Sequence, residues 1–205
     1  MAASSFRIHG SSSSTSLTLL SRVRAAEPAA WERLTQLYGP VVYRWARRAG
    51  LQPHDASDVM QDVFHAVTTN IGKFERQGDG GGFRGWLWTI SRNKIRDHFR
   101  HLKGRAQATG GTAALDQIHQ LPDAPPGLNS ESGIIEMGNL RRRAMELVRG
   151  DFEERTWQAF WRSAVEGDSP SDIACDLGIS VWTVYKARSR VLNRLRQELE
   201  GLEDS

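Results

Sequence analysis

Apolar residues return at helical spacing along most of this chain. From Trp31 they run through Leu34, Leu37, Tyr38, Val41, Val42, Trp45 and Ala46. That 3.6-residue period predicts a long amphipathic helix. Glu27-Pro28 opens it, Pro40 offers a bend within it and Gly50 closes it. A shorter pattern precedes it from Ser16, with Leu17, Leu20 and Val23. After the turn Leu51-Gln52-Pro53, Asp55 can start a third helix, where the helix dipole favours an acid. Its apolar stripe is Ala56, Val59, Met60, Val63, Val67 and Ile71, and Gly72 ends it. The glycine-rich stretch 75–82 reads as a flexible loop. Phe83 to Arg100 reads as a further helix, with Leu87, Ile90, Ile95 and Phe99 turned inward.

The periodicity then lapses. Residues 104–133 are rich in Gly and Pro, and Leu115, Ile118 and Leu121 are isolated. A stretch of about 30 residues is too long for an ordinary loop in a compact domain, so it reads as a flexible linker. The helical period resumes with Leu140, Ala144, Leu147 and Val148, and again from Phe152 to Val165 with Trp157, Phe160 and Trp161. Ser169-Pro170 opens a short helix, and Val181 to about Glu200 forms the last one. No strand alternation appears. The expected fold is all-α: two small helical domains on a flexible tether, at 16–103 and 134–201. The Ser-rich residues 1–15 are expected to be disordered.

Within that frame, residues 170–190 have the form of a helix-turn-helix. Ala174 lets two helices approach, Gly178 takes the left-handed turn and Val184 faces inward. Ile173, Leu177 and Ile179 complete the apolar seam. The motif places the start of its second helix in the major groove, where base identity is legible.

Charge sharpens this picture. The net charge is only +3, but its distribution is uneven. From Arg84 to Arg105 the only acid is Asp97, and Val181 to Arg196 holds Lys and Arg without any acid. His54 to Asp62 instead carries Asp55, Asp58 and Asp62 and no Lys or Arg. Two basic stripes and one acidic helix point to two nucleic-acid contacts and a separate partner. Asp58 and Asp62 share a helix face with Gln61 beside them, which reads either as a solvated polar face or as a docking surface for a basic protein. In the block 83–105, Phe83, Trp86 and Trp88 alternate with Arg84, Arg92, Lys94, Arg96 and Arg100. Aromatic faces accept unstacked bases and arginine neutralises phosphate, a pairing suited to single-stranded or melted DNA. At least one Trp is expected in the core and most Arg outward.

Other chemistry is poorly supplied. Cys175 is the single cysteine, so one chain cannot form a disulfide or a cysteine metal site, and it is expected in the core. His98 and His101 lack further metal ligands. No apolar run reaches the ~18 residues of a membrane span, and no signal-peptide core is present. The expected location is cytoplasmic, with no cofactor and no enzymatic activity.

The order of these parts resembles the extracytoplasmic-function group of the sigma-70 family, bacterial RNA polymerase sigma factors that keep only the second and fourth sigma domains. An acidic DxxQDVF helix, the block FRGWLWTISRNKIRDHFR, a linker and a terminal helix-turn-helix carry the resemblance over about 18–200. It implies sigma region 2 at 16–103 and sigma region 4 at 134–201. It also implies that Asp55, Asp58, Gln61, Asp62 and Phe64 dock on core RNA polymerase. Phe74 and Phe83 would bound the loop that holds a flipped base of the minus-ten element. Trp86, Trp88, Arg92, Asn93, Arg96, Asp97 and Arg100 would recognise and melt that element. Trp182, Thr183, Tyr185, Lys186, Arg188, Ser189 and Arg190 would read the minus-thirty-five element. Many members have Gly-Thr-Val-Lys-Ser-Arg where this chain has Trp182-Thr183-Val184-Tyr185-Lys186-Ala187, so its base-facing residues differ. The implied partners are core polymerase and promoter DNA, both duplex and melted; an anti-sigma factor is a partner open to this group. A stand-alone helix-turn-helix regulator would explain 170–190 but leave 55–100 without a role. A metal-dependent nuclease would need a second carboxylate cluster.

Overall fold

The structure, a computed structural model, describes residues 18–75, 82–106, 121–127, 129–200 and 202. The expectations for residues 1–15, for most of the glycine-rich loop and for Leu115 and Ile118 lie outside these residues. Those described form eight α-helices: α1 (Leu19–Arg24), α2 (Pro28–Arg48), α3 (Pro53–Asn70), α4 (Phe83–Ala106), α5 (Glu131–Arg149), α6 (Glu154–Trp161), α7 (Pro170–Leu177) and α8 (Val181–Leu199). Among the described residues no helix is long and apolar enough to cross a membrane.

Local chemistry sets the helix starts. Pro28, Pro53 and Pro170 occupy the first turns of α2, α3 and α7, where a missing N–H costs nothing. The hydroxyls of Ser130, Ser169 and Ser180 accept from the backbone N–H of Gly133, Asp172 and Thr183 at 3.1, 3.2 and 3.1 Å. Each satisfies a donor that the helix itself cannot pair. Ser130 therefore starts α5 three residues earlier than the apolar period suggests, because a cap acts before the first buried side chain. At the other boundary α4 continues to Ala106, so both ends of the expected linker are helical. Pro40 does not divide α2, which runs unbroken through it. The expected helix 152–165 is α6 followed by a wider π turn at Arg162–Glu166.

The first helical group forms around α2. Leu34, Leu37, Tyr38, Val41, Val42 and Trp45 face Ala56, Val59, Val63 and Val67 of α3 and Phe83, Leu87, Ile95 and Phe99 of α4. In the second group, α6, α7 and α8 bury Ala159, Ile173, Ala174, Val184 and Ala187. Gly178 joins α7 to α8 at φ +61°, the left-handed conformation the motif requires. Cys175 departs from expectation: it is exposed, one position beyond the buried Ala174 on α7.

The two groups are not held apart. Met137, Leu140 and Ala144 of α5 belong to the same apolar core as α2, and the C-terminal Leu202 is fully buried in it. The Tyr38 hydroxyl donates to the Leu202 carbonyl at 2.5 Å. Arg143 of α5 donates to the Leu37 carbonyl at 3.1 Å, and burial lowers its pKa from the ordinary arginine value.

Candidate nucleic-acid and polymerase interfaces

The acidic face of α3 is a surface strip. Asp58, Gln61 and Asp62 are exposed, while Ala56, Val59 and Val63 on the opposite face are buried. Asp55 lies apart from the strip, half-buried, with its carboxylate 3.7 Å from His98 Nε2 of α4. Phe64 leans against the core. His54 sits 3.0 Å from Asp58. A backbone hydrogen bond at His54, then the Asp58 carboxylate, raise its pKa above the ordinary histidine value.

On α4 the aromatics divide. Trp88 is buried, edge-on to Trp45 at 5.1 Å. Phe83 and Phe74 are also buried, in edge contact at 5.7 Å. Trp86 is half-exposed and rests on both, 5.1 Å from Phe74 and 5.7 Å from Phe83. Trp86 is thus the aromatic with surface to offer, and Trp88 backs it from the core. The two tryptophans and Phe74 line a cleft beside Lys73, and residues Asp123 to Pro125 form its other wall. The Trp88 indole N–H has no hydrogen-bond partner among the described residues.

The basic residues divide as well. Asn93 and Arg100 are exposed, and Arg100 pairs with Asp97 at 3.1 Å. Arg96 is half-buried, and Arg92 forms an ion pair with Asp123. Arg84, part of the basic stripe in the sequence, is turned inward and only 2% exposed. It follows the same face as Leu87, Ser91 and Ile95, so the helical period carries it into the core.

The start of α8 has a different surface. Trp182 is 68% exposed and Tyr185 56%. Thr183, Lys186, Arg188, Ser189 and Arg190 are exposed too, while Val184, Ala187 and Val191 anchor the other face. Lys186 Nζ stands 4.9 Å from the Trp182 ring, which holds the cation over the aromatic face. Arg190 instead lies over Phe152 at 5.9 Å. Trp182 and Tyr185 thus stand as exposed aromatics at the start of the helix.

Sequence reasoning missed a polar centre between the two groups. Glu136 of α5 is 1% exposed and accepts from Arg84 Nε and Trp45 Nε1, each at 2.9 Å. The available signal was Glu136 standing in register with Leu140 and Ala144. A second network joins Arg33 of α2 to Asp151 and to the buried Glu198, which Arg194 also holds, at 2.6 Å. Among the described residues, no three His, Cys, Asp or Glu converge to hold a metal ion.

This acidic helix, this aromatic-basic helix and the region between them match a known family model: residues 34–105 correspond to sigma-70 region 2. Proteins similar to this chain over most of its length are RNA polymerase sigma factors. The chain is 28% identical over 176 residues to the ECF RNA polymerase sigma factor SigE of Mycolicibacterium smegmatis, covering 86% of this chain and 62% of SigE. The chain thus spans less than two thirds of that relative. It is 28% identical over 194 residues to the RNA polymerase sigma factor CnrH of Cupriavidus metallidurans, covering 90% of this chain and 94% of CnrH. A solved structure of CnrH in complex with the cytosolic domain of CnrY is similar at 24% identity and TM-score 0.36, over 86% of this chain and 92% of that one.

Proposed function

We propose that this chain is a promoter-specificity subunit of RNA polymerase, acting in the cytoplasm without chemistry of its own. Residues 16–103 dock on core polymerase and open the minus-ten element; residues 134–201 read the minus-thirty-five element. The observation that carries the reading is the match of 34–105 to sigma-70 region 2 together with the exposed acidic strip Asp58–Gln61–Asp62. Like charges one turn apart cost a helix a few tenths of a kcal/mol in isolation, about 0.2–0.5. A basic partner surface would turn that cost into attraction.

The two reading faces then have separate tasks. Trp86 offers a stacking surface for an unpaired base, and Arg96, Arg100 and Asn93 lie along the same helix to meet the strand. On α8, Trp182, Tyr185 and Lys186 face the major groove, with Arg188 available to phosphate. Each contact alone is weak; the polymerase, by fixing their separation, makes the second contact intramolecular. A stand-alone duplex regulator leaves the region 2 match without a role.

Pull-down with core polymerase tests this directly. Asp58→Arg with Asp62→Arg should abolish binding while the circular dichroism spectrum stays helical. Lys186→Ala with Arg188→Ala should spare core binding and weaken upstream promoter recognition at least about tenfold, two phosphate or base contacts being lost. Undiminished core binding by the double arginine variant would overturn the docking assignment.

A further inference from the structure

We infer that the free protein holds itself closed through a latch centred on Arg84, which joins the two helical groups and seats the segment 121–126 over the aromatic cleft. The inference rests on the promoter-reading function proposed above for its consequence, but not for its geometry.

Arg84 is a poor choice for a core residue unless every donor is used. Here its guanidinium touches all three parts of the molecule. It lies over Trp45 of α2 at 5.9 Å, forms a 2.8 Å ion pair with Glu136 of α5, and donates to the Pro126 carbonyl at 2.8 Å. Glu136 is equally committed, its second oxygen accepting from the Trp45 indole. Two opposite charges, each nearly without solvent, lie on opposite sides of the contact between the helical groups. Neither can be left behind alone without a large desolvation cost, so the contact opens or stays shut as a unit. The Arg33–Asp151–Arg194–Glu198 network and the Tyr38–Leu202 bond fasten the same contact at the far end of α8.

Two consequences follow for the reading faces. Pro126, fixed by Arg84, brings Asp123 to Arg92 and makes Asp123 to Pro125 a wall of the cleft beside Trp86. A carboxylate then occupies Arg92, one of the residues that the sequence resemblance gives to the minus-ten element, as a phosphate would. Further, α8 has 19 residues and is about 28 Å long. Its last turn is held against α2, so its base-reading start stays within about one helix length of the first helical group. Elements centred near positions ten and thirty-five are separated by about 25 base pairs, roughly 85 Å of duplex. The closed protein sets its two readers too near one another and covers one of them. Engagement with polymerase must release Glu136 from Arg84.

The latch is measurable in the full-length protein by single-molecule energy transfer. One dye goes on the native, exposed Cys175 of α7 and the other on Thr69→Cys at the exposed end of α3. The wild type should show one high-transfer population. Glu136→Ala should reduce that population about tenfold or more, with helical content unchanged. If that variant loses its helices, Glu136→Gln, which keeps the shape and removes the charge, should still shift the distribution toward low transfer. Addition of core polymerase to the wild type should lower transfer, with complex formation followed separately by gel filtration. A wild-type distribution already at low transfer, or one indifferent to both Glu136 variants, would overturn the latch. So would unchanged high transfer in a complex that gel filtration shows to be formed. Failure to form any complex would count against the promoter-reading function, while the comparison of free proteins would still decide the latch.

Discussion

Gly178 shows how much a single backbone position decides. Its φ of +61° lies where a side chain is strained, yet a Cβ built there would meet nothing within 4 Å. The constraint is therefore conformational, not steric crowding by neighbours. Gly178→Ala should cost about 1–2 kcal/mol in chemical denaturation. Gly178→Asn should cost less, because asparagine tolerates the left-handed region. Equal losses for both would point to packing instead. Gly178, Ala174 and Val184 were legible in the sequence because the motif fixes their spacing. Cys175 was not: one residue of helical rotation, about 100°, separates the buried face from solvent, and a short helix leaves that phase loosely defined. Arg84 was misread for a related reason. Charge suggests the surface, but a buried carboxylate from a distant segment can hold a guanidinium inside, and no local pattern names that partner.

The helices themselves were largely written in the apolar period and its punctuation. Prolines at first positions, serine caps and the glycine at the motif's turn agree with the buried stripes, so boundaries fall close to those expected. The exceptions lie where a local signal is overruled. Pro40 stays inside α2 because the face that carries it is exposed, while Leu37, Val41 and Trp45 hold the helix from the other side. On α3 the acidic strip has its own measurable property. His54 titrates above the ordinary value of 6.5, through its backbone hydrogen bond and then Asp58. Its raised pKa means the stabilising contribution is fully present below that ordinary value and is lost as pH rises through the higher, folded value. NMR titration should place the His54 midpoint above 6.5, and Asp58→Ala should lower it. An unchanged midpoint in the variant would remove Asp58 from the cause. The same titration changes the charge of the proposed docking strip, so core binding should strengthen as His54 loses its proton.

At the scale of the molecule, the two groups of helices were legible but their contact was not. Composition marks the break at 104–133, and each group has its own buried stripe. The contact depends on Glu136, Trp45 and Leu202 meeting residues far away in sequence, and such pairings leave no periodic trace. The proposed reading faces show the same division. The inward Val184, the basic stripe of α8 and the strip on α3 followed from pattern and charge, while the set of contact residues on α8 came from the family resemblance. The aromatic block on α4 separated only in three dimensions, into Trp86 at the surface and Trp88 beneath it. The whole account rests on the chain directing polymerase to a promoter. Run-off transcription with purified core polymerase, on the promoter of this protein's own operon, tests that most directly. Core polymerase with the wild-type protein should give one transcript of defined start, and core polymerase alone should give none. No defined transcript, from a mixture in which the protein and core polymerase form a complex, would contradict the account.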